Sequence, residues 1–264
     1  MGELTDFLAG LLVPDGKLPL VHMSDMFKLM KVKSSGKLKT AATSDDGYPD
    51  EHLLYFFYGR PSYRVNPEIG STRLSFFAPV CLIFAHDLIK DAFRIMPFDS
   101  GAFGTPLTEG IIHPEMELAE FELEVHPNAP MKLIKTFFGT ELSYLNSSPL
   151  PHIPGIDDNQ RTDKFYLEAY NHLVRYKSNQ RTDDRLHAIE IQLNRDVELR
   201  GNICAVVLPD RWFDDTKIRE SIEREWGAIA IPYDLPEEYN PREHMGQIFS
   251  KVRTFVVQNR MYDD

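Results

Sequence analysis

The sequence is poor in cysteine and in long apolar runs. Its 264 residues contain two cysteines, Cys81 and Cys204, which lie in strand-like segments without the spacing of a metal site. We therefore expect neither a disulfide framework nor a metal centre. The longest nearly apolar run, 74–85, is shorter than the about 20 residues that a membrane-spanning helix needs, and it contains Pro79. We therefore expect no membrane partner.

Positive charge is also scarce. The chain has 40 Asp and Glu residues against 29 Lys and Arg residues, which gives a formal net charge of -11. This charge opposes the attraction to phosphates on which most nucleic-acid-binding proteins rely, so such a contact needs a local basic patch. The chain does not open on a charged segment followed by an apolar one, and we expect it in the cytoplasm. Its 42% hydrophobic and 11% aromatic residues are ample for a buried core.

The common catalytic motifs are missing. The sequence contains no GxxxxGK[ST], GxGxxG, HExxH or GxSxG motif, which excludes P-loop enzymes, Rossmann dehydrogenases and zincins. Residues 97–104 resemble the loop around a serine nucleophile at Ser100. The favoured interpretation is a turn in which Asp99 and Ser100 bind backbone donors and Gly101 has a positive φ.

Hydrophobic spacing predicts one domain over residues 1–264 in which short strands alternate irregularly with helices. This pattern is typical of an α+β fold without a regular βαβ repeat. Ser24 or Asp25 is expected to begin the second helix, and Gly36 to end it. Strands are predicted at 18–23, 53–59, 75–84, 185–193 and 202–209, helices at 3–12, 165–176, 210–227 and the end of the chain, and loops at 40–51 and 146–163.

Three separated segments carry most of the chemical information: 20–24 (LVHMS), 54–64 (LYFFYGRPSYR) and 188–192 (AIEIQ). Each places a polar group at a strand or at its edge. The middle segment supplies aromatic faces for a heterocycle and two guanidinium groups for a diphosphate, which suits a dinucleotide. A hydrophobic strand with surface arginines is the alternative interpretation of that run.

In order and spacing, the three segments resemble the His-Tyr-Glu core of ADP-ribosyltransferases, particularly bacterial toxins such as DarT and related anti-phage transferases. The resemblance implies a split mixed sheet with flanking helices, NAD as co-substrate and no metal. It implies that His22 with Ser24 holds the nicotinamide end of NAD and that Glu190 is catalytic. It also implies that Tyr58 stacks on the nicotinamide ring, with Tyr63 as the alternative.

Two arginines of the middle segment, Arg60 and Arg64, are expected to neutralise the diphosphate of NAD. Glu190 would stabilise the oxocarbenium-like ribosyl centre that forms when the bond to nicotinamide breaks. The alternatives are a satisfied core histidine at His22 and a solvent-facing strand residue at Glu190.

The acceptor is predicted from the residues before Glu190. Arginine- and cysteine-modifying relatives often carry Glu or Gln two positions before the catalytic Glu, where this chain has Ala188, so the resemblance favours the branch that modifies nucleic acids. Arg175, Lys177 and Arg181, together with Arg185, form a basic cluster where the family places its acceptor-recognising loop. They predict a single-stranded acceptor, RNA rather than DNA, with a solvated helix end as the alternative.

The predicted function is therefore that of a cytoplasmic mono-ADP-ribosyltransferase acting as a toxin or anti-phage effector, with an antitoxin protein as a further partner. An NAD glycohydrolase and a protein-modifying transferase are the alternatives within this chemistry. An alternative of another class is a catalytically silent binding module that docks a partner through the proline-rich loop 145–163.

Overall fold

The structure is a computed structural model that describes residues 2–43, 50–62, 70–153, 155–156, 164–176 and 185–262. The described strands lie in an eight-stranded mixed sheet and a separate two-stranded sheet. They are β1 (Leu20–Asp25), β2 (Lys37–Leu38), β3 (Ala41–Ala42), β4 (His52–Tyr58), β5 (Pro79–Phe84), β6 (Arg94–Met96), β7 (Glu190–Leu193), β8 (Val197–Glu198), β9 (Ile203–Pro209) and β10 (Ile229–Tyr233).

Helices flank the sheet, and short 3₁₀ turns connect several of the strands. The α-helices of the described residues are α1 (Glu3–Leu8), α2 (Met26–Ser35), α3 (Ala129–Phe137), α4 (Glu141–Leu145), α5 (Phe165–Arg175), α6 (Asp210–Phe213), α7 (Thr216–Glu220) and α8 (Met245–Gln258). The predicted class, an α+β fold with a mixed central sheet and flanking helices, is confirmed.

The order of strands in the main sheet is β10-β9-β5-β1-β4-β7-β6, and β3 pairs with β4. β9 and β10 run parallel, and the other described pairs in this sheet are antiparallel. β9 and β10 are joined through α6 and α7. Parallel neighbours need such a crossover because a tight hairpin joins only antiparallel strands.

Local sequence signals determine both ends of α2, as predicted. The Asp25 side chain accepts a hydrogen bond of 2.8 Å from the backbone N–H of Lys28, and Gly36 ends the helix with φ of 71°. Several predicted bounds are wrong in detail. The helix predicted at 3–12 ends at Leu8, and the strands predicted at 75–84 and 185–193 begin at Pro79 and Glu190. β1 does not end near His22 but continues to Asp25, and the strand at Ile229–Tyr233 is absent from the sequence prediction.

The hydrophobic core lies on both faces of the main sheet. All six residues of β5 and all four of β7 are buried, so β7 is not the half-buried strand that its alternating sequence predicts. In the described part of the chain, no helix has the length and apolar character needed to cross a bilayer.

Candidate functional site

The sheet brings the three predicted strands next to one another. β4 lies between β1 and β7, so the strands that carry His22, Tyr58 and Glu190 are neighbours. Tyr58 is the last residue of its strand, and Glu190 is the first of its own.

The register of these strands nevertheless places Glu190 on the opposite face of the sheet from His22 and Tyr58. Leu20 pairs with Tyr58, whereas Glu190 pairs with Phe57. Directly paired residues share a face, and successive residues of a strand alternate between faces. His22 therefore lies on the face of Tyr58 and Phe56, and its ring centroid is 5.6 Å from that of Phe56. The predicted His-Tyr-Glu constellation does not converge in this structure.

Tyr58 is a core residue, which contradicts its predicted stacking on nicotinamide. Its side chain is 0% exposed, and its hydroxyl lies 3.5 Å from a carboxylate oxygen of the fully buried Glu141. Gly16 covers the hydroxyl so closely that a Cβ at that position would lie 2.0 Å from it. Burial, assisted by the negative charge of Glu141, raises the pKa of Tyr58 well above its ordinary value.

Arg60 is also buried, so it is neither a surface arginine nor placed to bind a diphosphate. Its guanidinium donates a hydrogen bond of 2.9 Å to the Tyr144 carbonyl and lies 5.6 Å from the centroid of the Tyr144 ring. The Tyr144 hydroxyl donates to the Tyr58 carbonyl and accepts from the backbone N–H of Ile189. Arg60 thus helps to fix the junction of β4 and β7. Tyr63 and Arg64 lie outside the described residues.

His22 behaves as the satisfied histidine that the alternative interpretation describes. Its Nδ1 donates a hydrogen bond of 2.8 Å to the Tyr55 carbonyl. Desolvation by burial lowers the pKa of His22, the bond to Tyr55 opposes that shift, and the positive charge of Lys28 adds to it. Ser24, which shares its face, is buried at 4% exposure. Neither side chain lies on the face of Glu190.

Glu190 itself is held in a buried polar network. Its side chain is 1% exposed, so the interpretation as a solvent-facing strand residue is wrong. Oε1 accepts hydrogen bonds from the Ser100 hydroxyl at 2.8 Å and the Gln192 amide at 2.6 Å, and Oε2 accepts from the Ser100 backbone N–H at 3.2 Å. Both oxygens of the carboxylate therefore have fixed donors.

The network continues to the protein surface through Arg94. The Arg94 guanidinium donates to the Gln192 side-chain oxygen at 2.7 Å, which orients the amide so that its NH₂ points at Glu190. Arg94 also binds both carboxylate oxygens of Glu51, at 2.9 and 3.0 Å, and lies 3.0 Å from Glu122. We call these six residues the Glu190 network: Glu190, Ser100, Gln192, Arg94, Glu51 and Glu122.

Ser100 belongs to a tightly bonded turn rather than to a nucleophile loop. Asp99 accepts hydrogen bonds from the Gly101 backbone at 3.0 Å and the Ser62 hydroxyl at 2.6 Å, and Arg185 donates to the Gly101 carbonyl at 2.9 Å. The predicted role of Asp99 is confirmed. The predicted positive φ is found at Gly104, not at Gly101. Within the described residues, the Ser100 hydroxyl faces a carboxylate that already accepts its hydrogen bond.

Sequence reasoning missed Gln192 and Arg94 as members of this site, and it assigned Arg185 to the basic cluster with Arg175. For Gln192 a signal was present, because a residue two positions after Glu190 in a strand shares its face. Arg94 and Arg185 gave no such signal. Their partners lie 98 and 84 residues away, at Gln192 and Gly101, and only the fold brings them together.

Of the predicted acceptor-binding residues, the structure describes Arg175, which ends α5 and is half-buried. Lys177 and Arg181 lie outside the described residues. The acceptor prediction at these three positions therefore stays a prediction.

His187, three residues before Glu190 in the sequence, is a largely desolvated histidine. Among the described residues, neither ring nitrogen has a hydrogen bond of ordinary geometry, although the backbone at Leu173 and Val174 is near enough to oppose the shift. Desolvation, with the positive charge of Arg60 second, lowers the pKa of His187 to about 4. The native state thus resists protonation at pH values where the unfolded chain accepts a proton.

We expect acid to destabilise the protein through His187. The free energy of unfolding falls as the pH drops from about 6.5 toward 4, by at most roughly 1.4 kcal/mol per pH unit for this one proton. Because His187→Phe removes the titrating ring, this part of the loss should disappear in the variant. Urea unfolding at pH 7.5 and 4.5 measures it, with His172→Phe on the exposed side of α5 as control. Equal acid losses in wild type and His187→Phe would contradict the assignment.

No protein-family model matches this chain, and no curated protein matches it.

Proposed function

We propose that this chain cleaves NAD and transfers ADP-ribose, with Glu190 as its catalytic carboxylate. The observation that carries the proposal is the position of Glu190. It is a buried acid at the start of a strand, beside the strand that carries Tyr58 and two positions from the strand that carries His22, and its carboxylate has three positioned donors.

The chemistry of NAD cleavage gives such a carboxylate a role. Loss of nicotinamide leaves positive charge on the ribosyl carbon, and a fixed negative charge beside it stabilises the transition state. Ser100 and Gln192 hold the carboxylate in place, so little reorganisation is needed when the charge develops. Because both oxygens already accept hydrogen bonds, a ribose hydroxyl has to take the place of the rotatable Ser100 hydroxyl at Oε1.

The NAD-holding residues named from the resemblance do not fit this position. His22, Ser24 and Tyr58 lie on the other face of the sheet, and Arg60 is bonded to the Tyr144 carbonyl. We derive no binding step through them. Tyr63 and Arg64, which follow Ser62 in the sequence, stay the proposed residues for nicotinamide and diphosphate.

The acceptor within this proposal is single-stranded RNA, and the biological role is that of a toxin or anti-phage effector with an antitoxin. An assay with NAD labelled in its adenosine half, followed by separation of RNA, DNA and protein, tests the acceptor. We expect the label in RNA. Label released only as free ADP-ribose supports an NAD glycohydrolase, and label confined to protein supports a protein-modifying transferase.

A catalytically silent binding module is the second candidate, and a specific observation favours it. Glu190, Tyr58 and Arg60 each have an internal hydrogen-bond partner, as in residues that stabilise a fold. Such a module would not need His22, Tyr58 and Glu190 to lie on one face of the sheet.

A thermal unfolding experiment separates the two candidates. If NAD binds the native state, it stabilises the protein by about 2.7 kcal/mol at 100 times its Kd, which raises Tm by roughly 5 to 10 °C for a chain of this size. We expect this rise with millimolar NAD. An unchanged Tm at millimolar NAD, with AMP as the control ligand, would support the silent module.

A further inference from the structure

The outer face of α2 and the neighbouring 3₁₀ turn at Ser75–Phe77 expose an aromatic cluster. The rings of Phe27 and Phe76 are 6.4 Å apart between centroids, and those of Phe76 and Phe77 are 4.6 Å apart. The exposed fractions are 54% for Phe27, 40% for Phe76 and 36% for Phe77. Met30 and Leu74 extend the apolar surface. Large adjoining apolar side chains on a surface usually mark an interaction site.

The same part of the chain is strongly basic. Five lysines and no acidic residue lie between Asp25 and Asp45, in a protein whose net charge is -11. The lysines are Lys28, Lys31, Lys33, Lys37 and Lys39. We call these lysines and the five apolar side chains the α2 surface.

Local acids neutralise only part of this charge. Lys28 pairs with Asp25 at 3.9 Å, and Lys37 lies 3.7 and 4.0 Å from Asp196 and Glu198. In the described part of the chain, Lys31, Lys33 and Lys39 make no ion pair within 4.0 Å, although the charge of Lys39 acts on Asp196 at longer range. The Lys31 ammonium lies 4.5 Å from the centroid of the Phe27 ring. Among the described residues, the ammonium group above this exposed ring has no carboxylate partner, so it is available to an anionic partner.

We propose that the α2 surface binds single-stranded nucleic acid. Phosphates attract the unpaired lysines, and unpaired bases stack on the phenyl rings, the combination by which proteins hold single strands without reading their sequence. A duplex would offer its phosphates but not its base faces.

The inference that the α2 surface docks an acceptor strand rests on the proposed function. Binding itself needs no NAD, so it is measured separately from catalysis. It also places acceptor contacts on residues other than Arg175, Lys177 and Arg181.

Fluorescence anisotropy with a labelled oligouridylate of about 20 nucleotides, without NAD, tests the proposal. We expect binding that weakens with salt. Phe76→Ala should weaken it about tenfold, as loss of one stacking platform does. Lys31→Glu with Lys33→Glu should lower the slope of log K against log salt by about 2. The exposed Phe165→Ala and Lys217→Glu, outside the α2 surface, are the matched controls and should bind as wild type does.

Three results would overturn the proposal. One is the absence of binding by the wild-type chain. Another is equal affinity for the oligouridylate and for a duplex of the same length, which would remove the role of stacking. The third is binding to vesicles containing phosphatidylserine, but not to the oligonucleotide, with dependence on Phe76 and Lys31. If the chain binds the oligouridylate but does not cleave NAD, only the proposed function is overturned.

Discussion

Replacing Glu190 by Gln is expected to lower the rate of nicotinamide release from NAD at least about 100-fold, the loss typical of a principal transition-state group. Gln keeps the size of the side chain and an oxygen that accepts from Ser100, but it removes the negative charge. Because the amide cannot stabilise a cationic ribosyl centre as a carboxylate does, kcat should fall more than KM rises. Glu190→Ala is expected to lose at least as much activity.

The matched control for this experiment is Glu225→Gln, which makes the same change on an exposed carboxylate. It should retain wild-type turnover. Thermal unfolding of both variants checks that each variant is folded at the temperature at which its turnover is measured. Wild-type turnover in a folded Glu190→Gln variant would remove Glu190 from the mechanism.

Gly16→Ala is expected to destabilise the protein because of Tyr58. The added Cβ would lie 2.0 Å from the Tyr58 hydroxyl and 3.3 Å from the ring carbon that carries it. A buried tyrosine ring cannot move aside freely, so we expect a cost of about 1–3 kcal/mol in the free energy of unfolding, as for other overpacked cores. Urea unfolding measures this cost. Gly10→Ala is the control, because nothing lies within 4 Å of a Cβ at that position.

A double-mutant cycle shows whether the Tyr58 hydroxyl causes this cost. Tyr58→Phe removes the atom at 2.0 Å, so Gly16→Ala should cost less in the Tyr58→Phe background than in wild type. Residues in contact couple by about 0.5–3 kcal/mol. If Gly16→Ala costs the same in wild type and in the Tyr58→Phe background, the Tyr58 hydroxyl does not lie against Gly16. The prediction that Tyr58 stacks on nicotinamide would then stand.

Much of the fold was predictable from local signals in the sequence. The side chain of Asp25 caps the start of α2, and the left-handed backbone of Gly36 ends it. The apolar runs at β4, β5 and β9 are strands. β10 was missed because its short apolar run directly follows a long helical pattern and pairs with β9, twenty-six residues earlier from start to start.

The candidate site was predictable only in part, because the sequence of a strand does not determine its register with a strand that is distant in the chain. A shift of one residue moves a whole strand's side chains to the other face. Glu190 pairs with Phe57 rather than Tyr58, and this separates it from His22. The sequence identified Glu190 as a residue of interest but gave no means of placing it relative to the other two.

The burial of Arg60 was unpredictable for a related reason. A Gly-Arg-Pro sequence after a strand is typical of an exposed turn, but the carbonyl that accepts from Arg60 belongs to Tyr144, 84 residues further along. A buried guanidinium needs such a partner, and only the tertiary fold provides it.

Catalysis by Glu190 is tested most directly by following NAD by proton NMR during incubation with the purified wild-type chain and with the Glu190→Gln variant. Free nicotinamide should appear with the wild-type chain as NAD disappears, and about 100-fold more slowly with the variant. Nicotinamide at the level of buffer alone with the wild-type chain, or at equal rates with both proteins, would contradict it.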